Sequence, residues 1–282
     1  MKYFIVDAFT SEPFGGNPAG VVLLQSDSFP AEALMQQVAA ELRYSETVFV
    51  QRNGDAQFSS RYFTPQGEVD LCGHATIATF GLLRQLDEIA PGTQCINHTL
   101  AGNLTVITGE QVMMQMAAPQ VVDKAIDTQQ LHCIMGCDPC WELPQLPVEI
   151  VSTGLPDIMM PVGSVDQLNA LTPDMDALAD MSKELGVTGV HAFTLSNDGF
   201  TAHVRNFGPL YGIPEESATG TANAALTHYL QRHGIINCGA ECRFMQGEAM
   251  QRPSVVCTSL HNDGSIWVGG KVCVIASGNL MV

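Results

Sequence analysis

The stretch CGHATIAT, Cys72–Thr79, and its counterpart TGTANAAL, Thr219–Leu226, decide the fold of this chain. The two stretches share a glycine and two alanines, each recurring 147 residues further on: Gly73 and Gly220, Ala75 and Ala222, Ala78 and Ala225. Each stretch follows acidic residues and leads into an alanine-rich segment that favours a helix. A repeated, glycine-led helix start indicates two similar half-molecules that face one cleft.

The two long helices predicted from these starts, Gly73–Leu86 and Ala218–His233, are apolar on nearly all sides. Such helices are expected to be buried, and their small residues let strands approach closely. Short runs rich in Val, Ile and Phe, bounded by turn residues, recur along the chain and predict strands. We therefore predict an α+β fold of two pseudo-symmetric lobes, each a strongly curved, barrel-like mixed sheet around a central helix.

The lobe boundaries follow from the chain order of these elements. Ala117-Ala118-Pro119 is the predicted hinge, so the N-terminal lobe comprises residues 1–118 and the C-terminal lobe residues 119–270. The final strand, within about 271–282, is predicted to return to the N-terminal lobe.

Composition and charge restrict the classes of partner. The net charge of −17 over 282 residues argues against nucleic acid and anionic membranes, because phosphate binding needs Lys and Arg. A small anionic substrate stays compatible, since backbone N–H groups and local dipoles can hold it. No secretory signal and no transmembrane segment are expected.

The nine cysteines are odd in number and scattered, which is typical of reduced thiols in a cytoplasm. Cys133, Cys137 and Cys140 cluster, and they favour either a zinc site or ordinary free thiols. Because their spacing matches a common zinc pattern only at the last pair, the sequence predicts no metal.

The glycine-led helix starts are candidate anion sites. The first N–H groups of a helix lack internal partners, and the helix dipole makes that end positive. Glycine lets an anion approach the backbone, so Gly73-His74 and Gly220-Thr221 could each hold a carboxylate. Ordinary capping by Thr219 is the alternative, but two related starts favour a function.

Several side chains near these starts have the chemistry for proton transfer. Glu46 precedes a predicted strand and would act as general acid or base if partly desolvated, although a solvated loop Glu is the alternative. His74 is a proton carrier or a structural residue. Glu216 is either catalytic or stabilises the helix start. Cys72 is either a thiolate activated by the helix end or a small buried residue.

A set of motifs spread over nearly the whole chain resembles the PhzF family, named for an isomerase of phenazine biosynthesis. The motifs occur in the family's order: FGGNPAG at 14–20, SET at 45–47, RYFTP at 61–65, CGHAT at 72–76, STG at 152–154, ATG at 218–220, QG at 246–247 and RPS at 252–254. The resemblance implies the diaminopimelate epimerase-like fold, proton transfer without a cofactor, and a homodimer.

The resemblance also implies roles for individual residues. It makes Glu46 the general acid/base and places His74 beside the substrate. It makes Gly73 and Gly220 the backbone cradle for a substrate carboxylate. It further places Asn17, Cys72 and Thr221 among the substrate-binding residues.

The chain departs from the family pattern in its second acidic segment. Where the family has Asp-Pro, this sequence has Glu216-Ser217, and Thr221 stands where Ser is common. The functional groups are kept, so the resemblance implies that Glu216 assists catalysis. The longer side chain of Glu216 shifts its carboxylate by about one methylene. A shift of this size is expected to affect catalysis and the choice of substrate.

We therefore predict a cytoplasmic, cofactor-independent isomerase that moves a proton on a small carboxylate-bearing substrate between the lobes, in phenazine-like biosynthesis. One alternative is an epimerase or dehydratase of the same fold that uses Cys72 as base. A two-thiol racemase is disfavoured because Cys72 aligns with Thr219. The other alternative is a non-catalytic protein that binds small carboxylates.

Overall fold

Two helices enclosed by strands organise the computed structural model, which describes residues 1–26, 28–138, 141, 143 and 145–282. Its helices are α1 (Glu32–Leu42), α2 (Gly73–Gln85), α3 (Thr128–Met135), α4 (Val165–Ala170), α5 (Met175–Leu185) and α6 (Gly220–Arg232). Its strands are β1 (Lys2–Ala8), β2 (Asn17–Leu23), β3 (Thr47–Arg52), β4 (Gln57–Phe63), β5 (Glu68–Val69), β6 (Gln94–Thr99), β7 (Gly102–Thr108), β8 (Val112–Gln115), β9 (Gln120–Val122), β10 (Glu149–Ser152), β11 (Pro156–Pro161), β12 (Val190–Leu195), β13 (Ala202–Gly208), β14 (Ile213–Glu216), β15 (Glu241–Gln246), β16 (Ser254–Leu260), β17 (Ile266–Gly270) and β18 (Val272–Asn279). The predicted α+β class is confirmed.

The chain divides into two units. Unit 1 comprises Met1–Gln115 and Gly269–Val282, and unit 2 comprises Met116–Val268. The sequence-based boundaries, at 118/119 and about 270/271, lie within three residues of these. Within the described residues, no helix is long and apolar enough to cross a membrane.

Unit 1 is a mixed sheet. β1 pairs antiparallel with both β18 and β2, and β2 runs parallel to β3. β3 pairs antiparallel with β4, which runs parallel to β6, and β6, β7 and β8 continue antiparallel. The two parallel pairs are joined by connections that contain α1 and α2, as parallel neighbours require.

Helix α2 is the core of unit 1. Every residue from His74 to Leu83 is buried, and the helix contacts β1, β2, β3, β7, β8 and β18. Its small residues permit this enclosure: a Cβ built on Gly81 would overlap the side chain of Val272 in β18. Helix α2 has almost no polar face because strands surround it on nearly all sides.

Unit 2 repeats this plan in the same chain order. β9, β10 and β11 are antiparallel, and β11 runs parallel to β12. β12 and β13 are antiparallel, β13 runs parallel to β15, and β15 pairs antiparallel with β16. Helix α6 follows β14 as α2 follows β5, and it packs on β10, β11 and β16.

A separate apolar cluster in unit 2 joins the sheet to α3, α4 and α5. Leu131, Met135, Leu168 and Leu178 from these helices are buried with residues of β10–β13. The helices begin with side-chain caps from Asp127, Ser164 and Asp174, respectively. They therefore pack against the sheet of unit 2.

The two units also repeat an ion pair ahead of their central helices. Arg61 Nε and Glu68 Oε1 lie 2.6 Å apart, and Arg205 Nε and Glu215 Oε1 lie 2.8 Å apart. Both pairs are bidentate, and each guanidinium lies over the ring of the phenylalanine two residues further on. The duplication detected in the sequence is therefore present in side-chain contacts as well.

Candidate active site

The starts of α2 and α6 share an open geometry. The N-cap residues, Cys72 and Thr219, have extended backbones, and neither of these two side chains makes a capping hydrogen bond. Gly73 and Gly220 each occupy the first helical position. Since neither first turn carries an acidic residue, both starts keep the positive end of the helix dipole available to an anion.

His74 is the centre of a cluster in unit 1. Its Nε2 lies 3.2 Å from Glu46 Oε2 and 3.4 Å from Ser45 Oγ. Its Nδ1 lies 3.3 Å from Asn17 Nδ2 and 3.4 Å from Cys72 Sγ. The structure therefore brings together the predicted residues Asn17, Glu46, Cys72 and His74 from three separate parts of the sequence.

The fold fixes Glu46 at this point. Helix α1 ends at Leu42, and the left-handed backbone of its C-cap residue Arg43 (φ 62°) turns the chain toward β3. Gly20 N then donates a hydrogen bond to Glu46 O (3.1 Å), which anchors the residue at the parallel β2–β3 pairing. A Cβ on Gly20 would crowd Thr47, so glycine lets these two strands approach.

Glu46 Oε2 is buried and makes no hydrogen bond to any described residue, although it lies close to His74. The side chain of Glu46 is only 15% exposed, and that of His74 only 5%. A buried carboxylate oxygen without a hydrogen bond is costly, and such costs concentrate at functional sites. Glu46 is consequently available to accept a proton from a bound molecule.

Asn17 sets the orientation of the imidazole. With Asn17 Nδ2 donating to His74 Nδ1, the neutral ring carries its proton on Nε2, on the side of Glu46. His74 can therefore donate toward the carboxylate of Glu46 and hold it in place.

A buried chain of hydrogen bonds supports the first turn of α2. Ser60 Oγ donates to Asn97 Oδ1 (2.8 Å), and Asn97 Nδ2 donates to Tyr62 OH (3.0 Å). Tyr62 OH lies 2.7 Å from Thr76 Oγ1, which donates to Cys72 O (2.8 Å). Burial raises the pKa of Tyr62 to about 12, so its hydroxyl stays protonated and can donate. This series of hydrogen bonds fixes the carbonyl group of Cys72, the residue before Gly73.

In unit 2, Gln246 supports the first turn of α6 in a corresponding way. Its Oε1 accepts from Thr219 N (3.1 Å) and Asn223 Nδ2 (2.8 Å). Its Nε2 donates to Glu216 O (2.8 Å) and Thr219 Oγ1 (3.1 Å). The sequence motif QG contains this residue, but its role was missed because its partners lie 23 to 30 positions away.

The remaining predicted residues lie together at the start of α6. Glu216 Oε2 accepts a hydrogen bond of 2.6 Å from Thr219 Oγ1, and Gly220 and Thr221 follow directly. Thr153, in the predicted STG motif, donates to Thr221 O (2.9 Å) and holds the first turn. Glu216 is thus fixed beside the helix start.

The two units differ at the position that Glu46 occupies in unit 1. Gly189 occupies the position in unit 2 that Glu46 occupies in unit 1, because its carbonyl accepts from Ile158 N (3.0 Å) in the parallel β11–β12 pairing. A Cβ on Gly189 would overlap Phe207 O. Unit 2 therefore cannot carry a side-chain carboxylate at this position, whereas unit 1 carries that of Glu46.

Comparison with known proteins shows the family of the chain. The family model of the phenazine biosynthesis-like proteins, PhzC-PhzF, matches residues 6–278. The uncharacterized isomerase YddE of Escherichia coli K12 is 34% identical over 248 residues, covering 83% of this chain and 80% of the relative. The trans-2,3-dihydro-3-hydroxyanthranilate isomerase of Pseudomonas fluorescens is 32% identical over 269 residues, covering 90% and 88%.

The solved structures show the same relationship. The PhzF-family protein of Bacillus anthracis has a TM-score of 0.90 at 27% identity, covering 100% of this chain and 99% of that one. The fold and the named relatives together define an isomerase. More narrowly, the chain belongs to the phenazine biosynthesis-like family PhzC-PhzF. The predicted family, fold and enzyme class are confirmed, and the alternative of a non-catalytic binding protein is disfavoured.

Proposed function

We propose that the chain is a cofactor-independent isomerase that moves a proton on a small carboxylate-bearing substrate, with Glu46 as the general acid/base. The observation that carries the proposal is the buried Oε2 of Glu46, which makes no hydrogen bond within the described part of the chain yet lies 3.2 Å from His74 Nε2. This oxygen is desolvated, held in place and chemically available, as proton abstraction requires.

The substrate carboxylate is proposed to bind at the uncapped helix starts. Gly73 and Gly220 bear no side chain, so their N–H groups are accessible to an anion, and the dipole of each helix stabilises negative charge there. Thr221, directly after Gly220, supplies a hydroxyl. The sequence-based prediction that one substrate contacts both helix starts is part of this proposal.

In the proposed reaction, Glu46 removes a proton from one atom of the substrate and becomes neutral. The electron pair moves within the substrate toward a second atom, which then receives a proton, so no net oxidation or reduction occurs. His74, whose Nε2 lies 3.2 Å from Glu46 Oε2, stabilises the carboxylate electrostatically when that group is ionised. Asn17 keeps the ring in the tautomer that carries its proton on Nε2.

Glu216 is proposed to assist at the second helix start. Its tether to Thr219 Oγ1 (2.6 Å) keeps one oxygen beside the first turn of α6. A second carboxylate suits a reaction in which a proton leaves one atom and returns at another.

Exchange of solvent deuterium into the substrate tests the proposal. Wild-type protein should introduce deuterium at turnover, and Glu46→Gln, which keeps the shape but cannot accept the proton, should abolish exchange. Glu41→Gln on the exposed part of α1 is the matched control and should exchange normally. Full exchange by Glu46→Gln would overturn the assignment.

A second candidate function uses Cys72 as the base of an epimerase or dehydratase. The observation in its favour is the 3.4 Å separation of Cys72 Sγ and His74 Nδ1, which suits a thiol–imidazole pair. Loss of exchange in Cys72→Ala together with retention in Glu46→Gln would favour this function.

The substrate is proposed from the chemistry of the site and from the named relative. Because the Pseudomonas fluorescens relative is a trans-2,3-dihydro-3-hydroxyanthranilate isomerase, cyclic amino carboxylates are the first compounds to test by thermal shift and then by deuterium exchange. A ligand at a hundredfold its dissociation constant stabilises the folded state by about 2.7 kcal/mol.

Assembly and location complete the proposal. We propose a homodimer, which light scattering of the purified protein would test, and a role in a biosynthetic process. A cytoplasmic location is supported by the free cysteines, of which Cys133 and Cys238 are exposed.

A further inference from the structure

The cluster around His74 has a second chemical property besides proton transfer. Glu46, Cys72 and His74 each offer one ligand atom, and these atoms all lie within 4.8 Å of one another. Carboxylate, thiolate and imidazole are the three ligand types that Zn²⁺ prefers. Among the residues that the structure describes, this is the one cluster of three such groups with metal-ligand spacing.

Two of the three separations are close to those of a tetrahedral zinc site. Zn–S and Zn–N bonds of about 2.3 and 2.0 Å give an S–N edge of about 3.5 Å, and two bonds of about 2.0 Å give an N–O edge of about 3.3 Å. Cys72 Sγ and His74 Nε2 lie 3.8 Å apart, and His74 Nε2 and Glu46 Oε2 lie 3.2 Å apart. Cys72 Sγ and the Glu46 carboxylate lie within 4.8 Å of each other, and this third edge must be about 3.5 Å for the three groups to close around an ion.

One further observation points to a ligand here. Glu46 Oε2 is buried and makes no hydrogen bond to any described residue, so a cation would satisfy it. Asn17 Nδ2 lies 3.3 Å from the opposite ring nitrogen of His74, Nδ1. Metal binding at Nε2 therefore requires the amide of Asn17 to turn over, so that Oδ1 accepts the Nδ1 proton, as the outer partner of a metal-bound histidine does.

We propose that Glu46, Cys72 and His74 form an inhibitory binding site for a thiophilic divalent cation such as Zn²⁺. Binding forms bonds from the metal to Cys72 Sγ, His74 Nε2 and one oxygen of Glu46. It releases the thiol proton of Cys72 to solvent and moves the imidazole proton to Nδ1. The fourth position is open to water or to a carboxylate. Inhibition, which rests on the proposed function, follows because the bound metal occupies the base.

Metal binding can be measured without any substrate. Reduced wild-type protein titrated with Co²⁺ should develop a thiolate-to-cobalt charge-transfer band, and Zn²⁺ should displace the cobalt. Cys72→Ser should lose the band and weaken Zn²⁺ binding by more than roughly tenfold in calorimetry. Cys133→Ser is the control, because Cys133 belongs to the other cysteine cluster, whose Cys140 lies outside the described residues.

The possible results distinguish metal binding at Glu46, Cys72 and His74 from binding at the cluster that contains Cys133. They also distinguish a failure of the metal site from a failure of the proposed isomerase function. Retention of the band in Cys72→Ser, with its loss in Cys133→Ser, would assign the metal to the other cluster and overturn the proposal. Absence of any cobalt–thiolate band in wild-type protein would also overturn it. Band formation that depends on Cys72 supports the site even if no isomerase substrate is found, while Zn²⁺ should suppress deuterium exchange wherever exchange is seen.

Discussion

Thr76 and Asn223 perform the same task in the two units with different functional groups. Each lies in the first turn of its central helix, 147 residues apart, and each donates to the carbonyl of the N-cap residue: Thr76 Oγ1 to Cys72 O (2.8 Å) and Asn223 Nδ2 to Thr219 O (2.9 Å). Each is in turn held by a buried polar partner, Tyr62 in unit 1 and Gln246 in unit 2. The duplicated fold has thus kept a rigid helix start while the residues that build it diverged.

The first prediction concerns Gln246, a positioning residue for the start of α6. Gln246→Glu keeps the size of the side chain but removes the two donors to Glu216 O and Thr219 Oγ1. We expect the free energy of unfolding to fall by about 1–3 kcal/mol. We also expect KM to rise by roughly tenfold, equivalent to about 1.4 kcal/mol of substrate binding, while kcat changes less.

Urea unfolding and steady-state kinetics measure these two effects. Gln85→Glu is the matched control, because Gln85 makes one exposed hydrogen bond to Val272 O (3.0 Å) and lies at the far end of α2. An unchanged KM in Gln246→Glu would show that its contacts stabilise the fold without positioning the substrate site.

The second prediction concerns the ion pair of Arg205 and Glu215. Their side chains are only 11% and 16% exposed, and Arg205 Nη1 also donates to the carbonyls of Leu168 and Leu171 (both 3.0 Å). Arg205→Met should therefore lower the free energy of unfolding by about 3–5 kcal/mol, since it leaves a buried carboxylate without its partner.

Adding Glu215→Gln to Arg205→Met should recover part of this loss in urea unfolding, because the unpaired charge is then removed. Arg61→Met in unit 1 is the comparison and should cost less, since Arg61 is 24% exposed. If Arg205→Met and the double variant with Glu215→Gln had equal free energies of unfolding, the expected cost of leaving the Glu215 carboxylate unpaired would be contradicted.

The sequence predicted the central helices and most strands because their residues carry a clear pattern. Glycine-led starts and small residues indicated α2 and α6 within a residue or two of their ends. Strand β6 was missed because its sequence, QCINHT, looks polar. Its buried Asn97 belongs to the hydrogen-bonded chain beneath α2, so a polar residue occupies a core position there.

The candidate site was only partly visible in the sequence. Glu46 looked like a loop residue until it was considered with the family motifs, since its burial depends on the parallel β2–β3 pairing. Helix α3 was missed because its apolar side chains, Leu131, Ile134 and Met135, fill only two turns. Contacts between residues far apart in sequence, such as that of Gln246 with Thr219, leave no local pattern.

The third prediction concerns the pH dependence of stability. Burial raises the pKa of Asp157 from 3.8 to about 7. The folded protein thus holds this proton more tightly than the unfolded chain does. The stabilising contribution is complete below about pH 4 and is lost as the pH rises toward 7, by on the order of 4 kcal/mol at most.

Asp157→Asn cannot ionise, so its stability relative to wild type should increase as the pH rises from about 5 to about 8. Burial lowers the pKa of His191 to about 3, which weakens the fold as the pH falls below 6.5. Because both proteins contain His191, the difference between them in urea unfolding isolates Asp157. A difference that stays constant over this range would contradict the raised pKa.

The last prediction tests whether Asn17 controls the protonation of the pair formed by His74 and Glu46. Asn17→Asp keeps the shape of the side chain but places a carboxylate about where the amide now lies, 3.3 Å from His74 Nδ1. A negative charge at this distance favours the imidazolium, which in turn stabilises the ionised form of Glu46. The acidic limb of the kcat/KM profile for proton exchange should then move to lower pH by about one unit or more, and the maximal rate should fall because Glu46 becomes a weaker base.

Asn103→Asp provides the matched control on the surface of the same unit. The exposed Asn103 has its Oδ1 2.7 Å from Nδ1 of the half-buried His98, so the substitution makes the same charge change beside a histidine outside the site. Its pH profile should coincide with that of the wild type. A profile of Asn17→Asp that is lowered at every pH without any shift of its limbs would instead show that Asn17 contributes only to packing, and that the tautomer of His74 is set by another group.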